Sequence, residues 1–142
     1  MTLRPDVIRE RLAFVRLDLA TLARPAGLAK EAFLADLTEQ WAAAYGLQVT
    51  VQALLDAGAH ALGATFREAP HDYGEIVSLL ARHGVLTHEM AHELSGVSGF
   101  RNILVHEYGA VDFALVHDKL QRLDDLTGFA AALERWLVAQ GL

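Results

Sequence analysis

Apolar residues in this chain recur at intervals of three and four over most of its length, and nowhere do they alternate long enough to make a convincing strand. Ile8, Leu12, Val15, Leu19 and Leu22 form the first such stripe. Pro5 suits the first turn of that helix, and Pro25 followed by Gly27 ends it. After a short connection, residues 31–66 read as one helical element or two in line, rich in Ala and Leu but weakened at Gly46, Gly58 and Gly63. "REAPHDYGE" is a loop with a turn, and "IVSLLARHG" is a short helix with Gly84 as its left-handed C-cap. Thr87 is an N-cap for a helix running toward Tyr108, after which Gly109 and Asp112 mark a break and a new cap. The last helix spans roughly Phe113 to Gln140 and carries Leu115, Leu120, Leu123, Leu126, Phe129, Leu133, Trp136 and Leu137. The only β-branched patch, "LQVTVQAL", is short. The expectation is an all-α, up-and-down bundle of about four main helices with short extra helices, in a single domain over residues 1–142.

Composition limits what such a bundle can do. Apolar residues make up 53% of the 142 and the mean hydropathy is +0.23, yet no uninterrupted apolar run approaches the ~20 residues of a membrane span. The surplus apolar surface points to a partner or to self-association. The start, "MTLRPDVIRE", lacks the basic and apolar regions of a secretory signal, so the cytoplasm is the expected compartment. The chain has no cysteine, which removes disulfides and thiolate zinc sites. A net charge of −6 argues against coating nucleic acid by bulk attraction, while leaving room for one local cationic cluster.

Two motifs compete for the chemistry. "HEMAH", His88 to His92, fits the H-E-x-x-H pattern of zinc peptidases. On a helical wheel, Leu86, Leu94 and Val97 fall within about 40° of Met90, whereas His88 and His92 stand about 160° and 200° away, on the side a bundle leaves in water. A catalytic zinc also needs a third ligand. Ser98 occupies the place of the third histidine in the extended pattern, and no spacing recommends Glu107 or Asp112 instead. Two solvated histidines are the better reading.

The second motif is "RNILVHEY", Arg101 to Tyr108. The stretch "GFRNILVHEYGAVD" resembles the HEPN superfamily, whose ribonucleases carry an arginine, usually a neighbouring polar residue, and a histidine four to six residues on. That spacing alone is a poor signal, because Arg82 and His88 match it too. The tyrosine two residues after the histidine is more specific, and with it the chain resembles the HepT-like toxins of toxin–antitoxin pairs. "LLDAGAH" resembles that family's second helix. "PHDYGEIVSLLARHGVLTHEMAHEL" resembles its loop, short helix and entry to the motif helix, and "LQRLDDLTGFAAALERWL" its closing helix. The likeness is strongest from Gln48 onward.

The residues themselves suit that chemistry. RNA carries its own nucleophile, the 2′-OH beside each phosphate. Cleavage needs a group that exchanges protons near neutrality, which His106 supplies with an unperturbed pKa of about 6.5. It also needs a cation for the charge on the phosphorane, and the planar fork of Arg101 matches phosphate oxygens. Asn102, four residues before His106 on the same face, can donate to phosphate or hold the imidazole. No metal or other cofactor is required by this set. On a straight helix, however, Arg101 and His106 point about 140° apart. Either the helix distorts, or the arginine wraps around, or two chains pool their motifs. The resemblance implies the last, a homodimer with motifs facing across the interface. It further implies a minimal nucleotidyltransferase antitoxin of the MntA type that attaches AMP to Tyr108.

Other candidates are weaker. Asp56 and His60 lie four residues apart, either as a supporting pair at the active cleft or as a satisfied pair on the helix surface. His71 and Tyr73 sit in the loop, where they could touch RNA or a partner, and His83 and His117 read as solvated. Trp41 and Trp136 read as core or interface anchors. The expected protein is a metal-independent endoribonuclease toxin, with RNA, an antitoxin and a second copy as partners and no membrane. The alternative is a catalytically idle module of the same fold that binds nucleotide, RNA or a partner protein.

Overall fold

A computed structural model describes residues 2–106 and 110–142. Glu107, Tyr108 and Gly109, including the expected break at Gly109, lie outside the described residues. Among those described, every regular element is helical, as the periodicity predicts.

Helix α1 (Pro5–Ala26) opens on its proline, whose missing N–H costs nothing in a first turn, and buries Ile8, Leu12, Val15 and Leu22. A one-turn helix α2 (Lys30–Leu34) leads into α3 (Leu37–Ala61), capped by the Asp36 carboxylate accepting from the Glu39 N–H. Arg24 meets Glu39 and Arg11 meets Asp56, so α1 and α3 run antiparallel. They approach closely where Gly46 carries no side chain, and Gly58 does the same for the helix that carries Leu80. A Cβ on Gly46 would fall 2.7 Å from the Leu22 Cδ2, and one on Gly58 2.9 Å from the Leu80 Cδ1. What weakens these positions as helix formers is what lets neighbouring helices seat. Helix α3 then widens into a π turn (Leu62–Phe66) and ends at Arg67, held at φ +57°.

Helix α4 (Tyr73–Arg82) is capped by Asp72 and terminates as its sequence suggests. Gly84 adopts φ +77°, and the N–H groups of Val85 and Gly84 return to the carbonyls of Leu80 and Ala81, the paired bonds of a Schellman ending. Thr87 caps the next helix by accepting from the Met90 N–H at 3.1 Å.

The long helix expected from Thr87 is in fact two, α5 (His88–Glu93) and α6 (Val97–His106). Between them Ser95 and Val97 donate to the carbonyls of His92 and Leu94, tightened turns at the poor helix formers Ser95 and Gly96. The expected final helix is likewise divided into α7 (Phe113–Leu120), capped by Asp112, and α8 (Leu123–Ala139). The principal helices α1, α3, α6 and α8 enclose one contiguous core, with Phe33, Leu54, Leu55, Phe129 and Leu133 among its most buried members. No helix among the described residues is long and apolar enough to cross a membrane.

Candidate functional site

Arg101 and His106 both lie within α6, which is continuous from Val97 to His106. Of the three alternatives the sequence left open, a distortion between these two residues is not seen, and their side chains leave the axis about 140° apart. Phe100 and Leu104 of this helix are buried. Gly99, Asn102, Ile103 and His106 form the opposite, exposed face, with Ile103 38% exposed. Asn102 joins the two sides, because its Oδ1 accepts from the Arg101 Nη1 at 3.0 Å.

Arg101 is held in place. Its guanidinium carbon lies 5.0 Å from the centre of the Tyr73 ring, at the start of α4, in a cation–π arrangement. The Gln52 Nε2 on α3 donates to the Tyr73 hydroxyl at 2.9 Å and to the Asp56 Oδ1 at 2.8 Å. A carboxylate can only accept, which fixes which end of the Gln52 amide faces it. The other carboxylate oxygen of Asp56 lies 3.6 Å from the Arg11 Nη1 on α1. Arg11, Gln48, Val49, Gln52, Ala53, Asp56 and Arg101 together line an open cleft of about 280 Å³. Two guanidinium groups against one carboxylate make this a locally cationic spot on an acidic chain.

The sequence pointed to Arg101 and to Asp56 but not to Arg11 or Gln52, and it offered Tyr73 only as a loop residue that RNA or a partner could touch. Asp56 and His60 do not act as a pair. Asp56 faces the Arg101 cleft, whereas the His60 Nε2 accepts from the Arg4 N–H at 3.0 Å at the start of α1. Tyr108 lies outside the described residues.

The remaining histidines separate into two kinds. His88 and His92 are both exposed, and among the described residues no cluster of three or more His, Cys, Asp or Glu side chains could hold a metal ion. His117 and His83 are not the solvated residues expected. His117 is buried, with its Nε2 2.8 Å from the Leu28 carbonyl oxygen. His83 stacks on Phe66 with ring centres 4.2 Å apart and reaches Glu68 at 3.1 Å. The π turn presents Phe66 to that imidazole, a contact without a local sequence signal. Trp136 is core, as expected, while Trp41 is 65% exposed.

The helical frame agrees with the comparisons to known proteins. The family described as ribonuclease HepT-like matches residues 9–133, and the chain belongs to that family. A protein of Aphanizomenon flos-aquae (strain 2012/KM1/D3) called tRNA nuclease HepT is 28% identical over 110 residues, covering 78% of this chain and 75% of that protein. Among solved structures, the tri-AMPylated HEPN toxin of Shewanella oneidensis in complex with its MNT antitoxin superposes with a TM-score of 0.82 at 23% identity, over 92% of this chain and 98% of that one. YutE, a cytosolic protein of unknown function from Bacillus subtilis, superposes with a TM-score of 0.84 at 19% identity, over 99% and 95%. At such identities these two speak for the fold alone.

Proposed function

We propose that this protein is a cytoplasmic, homodimeric, metal-independent endoribonuclease, the toxin of a toxin–antitoxin pair. Membership in the HepT-like ribonuclease family supports the activity. The observation that carries the assignment of residues is the seating of Arg101 on Tyr73 at the mouth of a cationic cleft. There the guanidinium binds the scissile phosphate and stabilises the charge that builds on it. The 2′-oxygen attacks the adjacent phosphorus, the bond from phosphorus to the 5′-oxygen breaks, and a 2′,3′-cyclic phosphate remains. The 2′-OH gives up its proton and the departing 5′-oxygen takes one up; His106 carries one of these transfers and water the other, while Asn102 steadies Arg101. Because the nucleophile belongs to the substrate, the reaction asks nothing of a metal ion.

The two motif residues diverge on one helix, so a second copy completes the site. If two α6 helices cross antiparallel at Ile103, the Arg101 of each lies within about a turn of the other's His106. Gly99 and Ile103 suit such a crossing, since no heavy atom lies within 4 Å of where a Cβ on Gly99 would be and Ile103 is an exposed apolar residue.

Silencing follows from charge. An adenylate on Tyr108, two residues after His106 in the sequence, would add bulk and a negative phosphodiester that repels RNA phosphate. The enzyme that attaches it is proposed to be an MntA-like nucleotidyltransferase antitoxin, by analogy with the AMPylated Shewanella toxin. Transfer RNA is the first substrate to try, given what the Aphanizomenon relative is called.

The test is cleavage of transfer RNA by unmodified protein in the presence of a chelator. Arg101→Ala and His106→Ala, folded by circular dichroism, are expected to lose about 100-fold or more of the rate, and a 2′-deoxy substitution at the cut site should block it. Tyr108→Phe should still cut and should resist silencing by partner and ATP. Undiminished cleavage by His106→Ala would remove the proposed proton carrier, and full silencing of Tyr108→Phe would remove the proposed modification site.

A further inference from the structure

The cleft holds a second guanidinium that the motif does not account for. Arg11 enters it from α1, on the far side of α3 from the motif helix, and lines the same 280 Å³ as Arg101. Its contact with Asp56 is loose. The nearest approach is 3.6 Å, and the two side chains keep 44% and 32% of their surface in water, conditions under which an ion pair is worth little. Asp56 is also shared, because its other oxygen already accepts from Gln52 at 2.8 Å. Arg11 thus keeps most of its five donors for something else, in a cleft whose other lining groups are the Asp56 carboxylate, two amides, small apolar side chains and Arg101.

We propose that Arg11 is a second phosphate contact, binding a backbone phosphate next to the one held by Arg101, and that Asp56 is only its loose counter-charge until RNA arrives. This rests on the ribonuclease reading. RNA is a chain of phosphates at regular intervals, so a cleft with two guanidinium groups on different helices fits consecutive phosphates of one strand. A charge-assisted, bidentate bond to phosphate outcompetes a long, half-solvated contact to a carboxylate. Asp56 has two effects in this arrangement. It balances the charge of Arg11 in the empty protein, and it opposes the incoming phosphate by its own charge. An acidic chain otherwise repels RNA, so a local pair of arginines is where binding strength has to come from.

The experiment is equilibrium binding of fluorophore-labelled transfer RNA to the full-length protein carrying His106→Ala, which prevents turnover, measured across a salt series. Arg11→Gln added to that protein should weaken binding about tenfold. It should also flatten the plot of log affinity against log salt by about 0.7–0.9, one phosphate's worth of counterions. Arg11→Lys should keep the slope while losing part of the affinity, because lysine binds phosphate as a point charge. Asp56→Asn keeps an acceptor for Gln52 but drops the charge, so it should bind RNA more tightly than the parent. A merely structural Arg11–Asp56 pair predicts that Arg11→Gln and Asp56→Asn change binding in the same direction or not at all, and that result overturns the inference while leaving an effect of Arg101→Gln intact. Binding indifferent to Arg101→Gln as well would overturn the ribonuclease reading along with it.

Discussion

At the scale of single residues, position decides which ionisable groups matter. Arg101 is ordered before any substrate arrives, since Tyr73 supports its plane, Asn102 accepts from it, and Gln52 ties Tyr73 to α3. Such ordering saves conformational entropy that a loose arginine would lose on binding phosphate. Asp18 is the opposite case. It lies on α1 in a cleft lined by Leu22, Pro25, Ala42, Tyr45 and Val49 and also by Thr21 and the paired Arg24 and Glu39, and partial burial raises its pKa above the ordinary aspartate value of 3.8. The charged form is therefore disfavoured on folding. Below 3.8 the carboxyl is neutral in both states and costs nothing, whereas the penalty grows as pH rises through the elevated folded-state value. Asp18→Asn is accordingly expected to raise the melting temperature at neutral pH, with the gain shrinking as pH falls toward 3.8. Thermal unfolding at the two pH values checks this, and a gain independent of pH would show that ionisation is not its source.

Among the elements, the glycines of α3 act as contacts. Gly58→Ala gains about 1 kcal/mol of helix propensity. The new methyl, however, meets the Leu80 Cδ1 at 2.9 Å and the Ile76 Cγ2 at 3.0 Å, both on buried side chains of α4, and overpacking of this kind costs about 1–3 kcal/mol. The clash should win, leaving a net loss of up to about 2 kcal/mol, read as a lower urea midpoint. Because α4 also carries Tyr73, cleavage should fall further than the lost stability explains. An unchanged midpoint would mean that α4 shifts to make room. The same element scale separates what could be read from the sequence from what could not. Periodicity and caps were legible, since Thr87, Gly84 and Asp112 perform the roles their chemistry suggests. The division of the last helix was not, because neither Gly nor Pro marks Gln121–Arg122. Its cause is phase. The buried stripe through Val116, His117 and Leu120 and the one through Leu126, Phe129, Ala130, Ala132, Leu133, Trp136 and Leu137 differ by about 150°, so no single straight helix could bury both. For the site, the motif was legible as letters at fixed spacing. Arg11, Gln52 and Tyr73 were not, since only the packing of α1, α3 and α4 brings them to Arg101.

For the whole molecule, the decisive question is whether one chain or two make the site. Helix α6 is regular between Arg101 and His106, so a site within one chain would require Arg101 to leave Tyr73 and reach around the helix. A site between chains asks for no such movement. Mixing two inactive variants distinguishes the two arrangements. In a dimer of one Arg101→Ala chain and one His106→Ala chain, a site built across the interface loses both groups at one position and keeps both at the other. After random reassortment about half the dimers are mixed and each carries one intact site of two, so about a quarter of the native rate should return. Sites within single chains stay dead however the chains assort, because each chain lacks one group. Differently tagged chains, co-purified to prove that mixed dimers form, make silence informative. Mixed dimers that cut no RNA would place arginine and histidine on one chain and leave the second copy without a catalytic part.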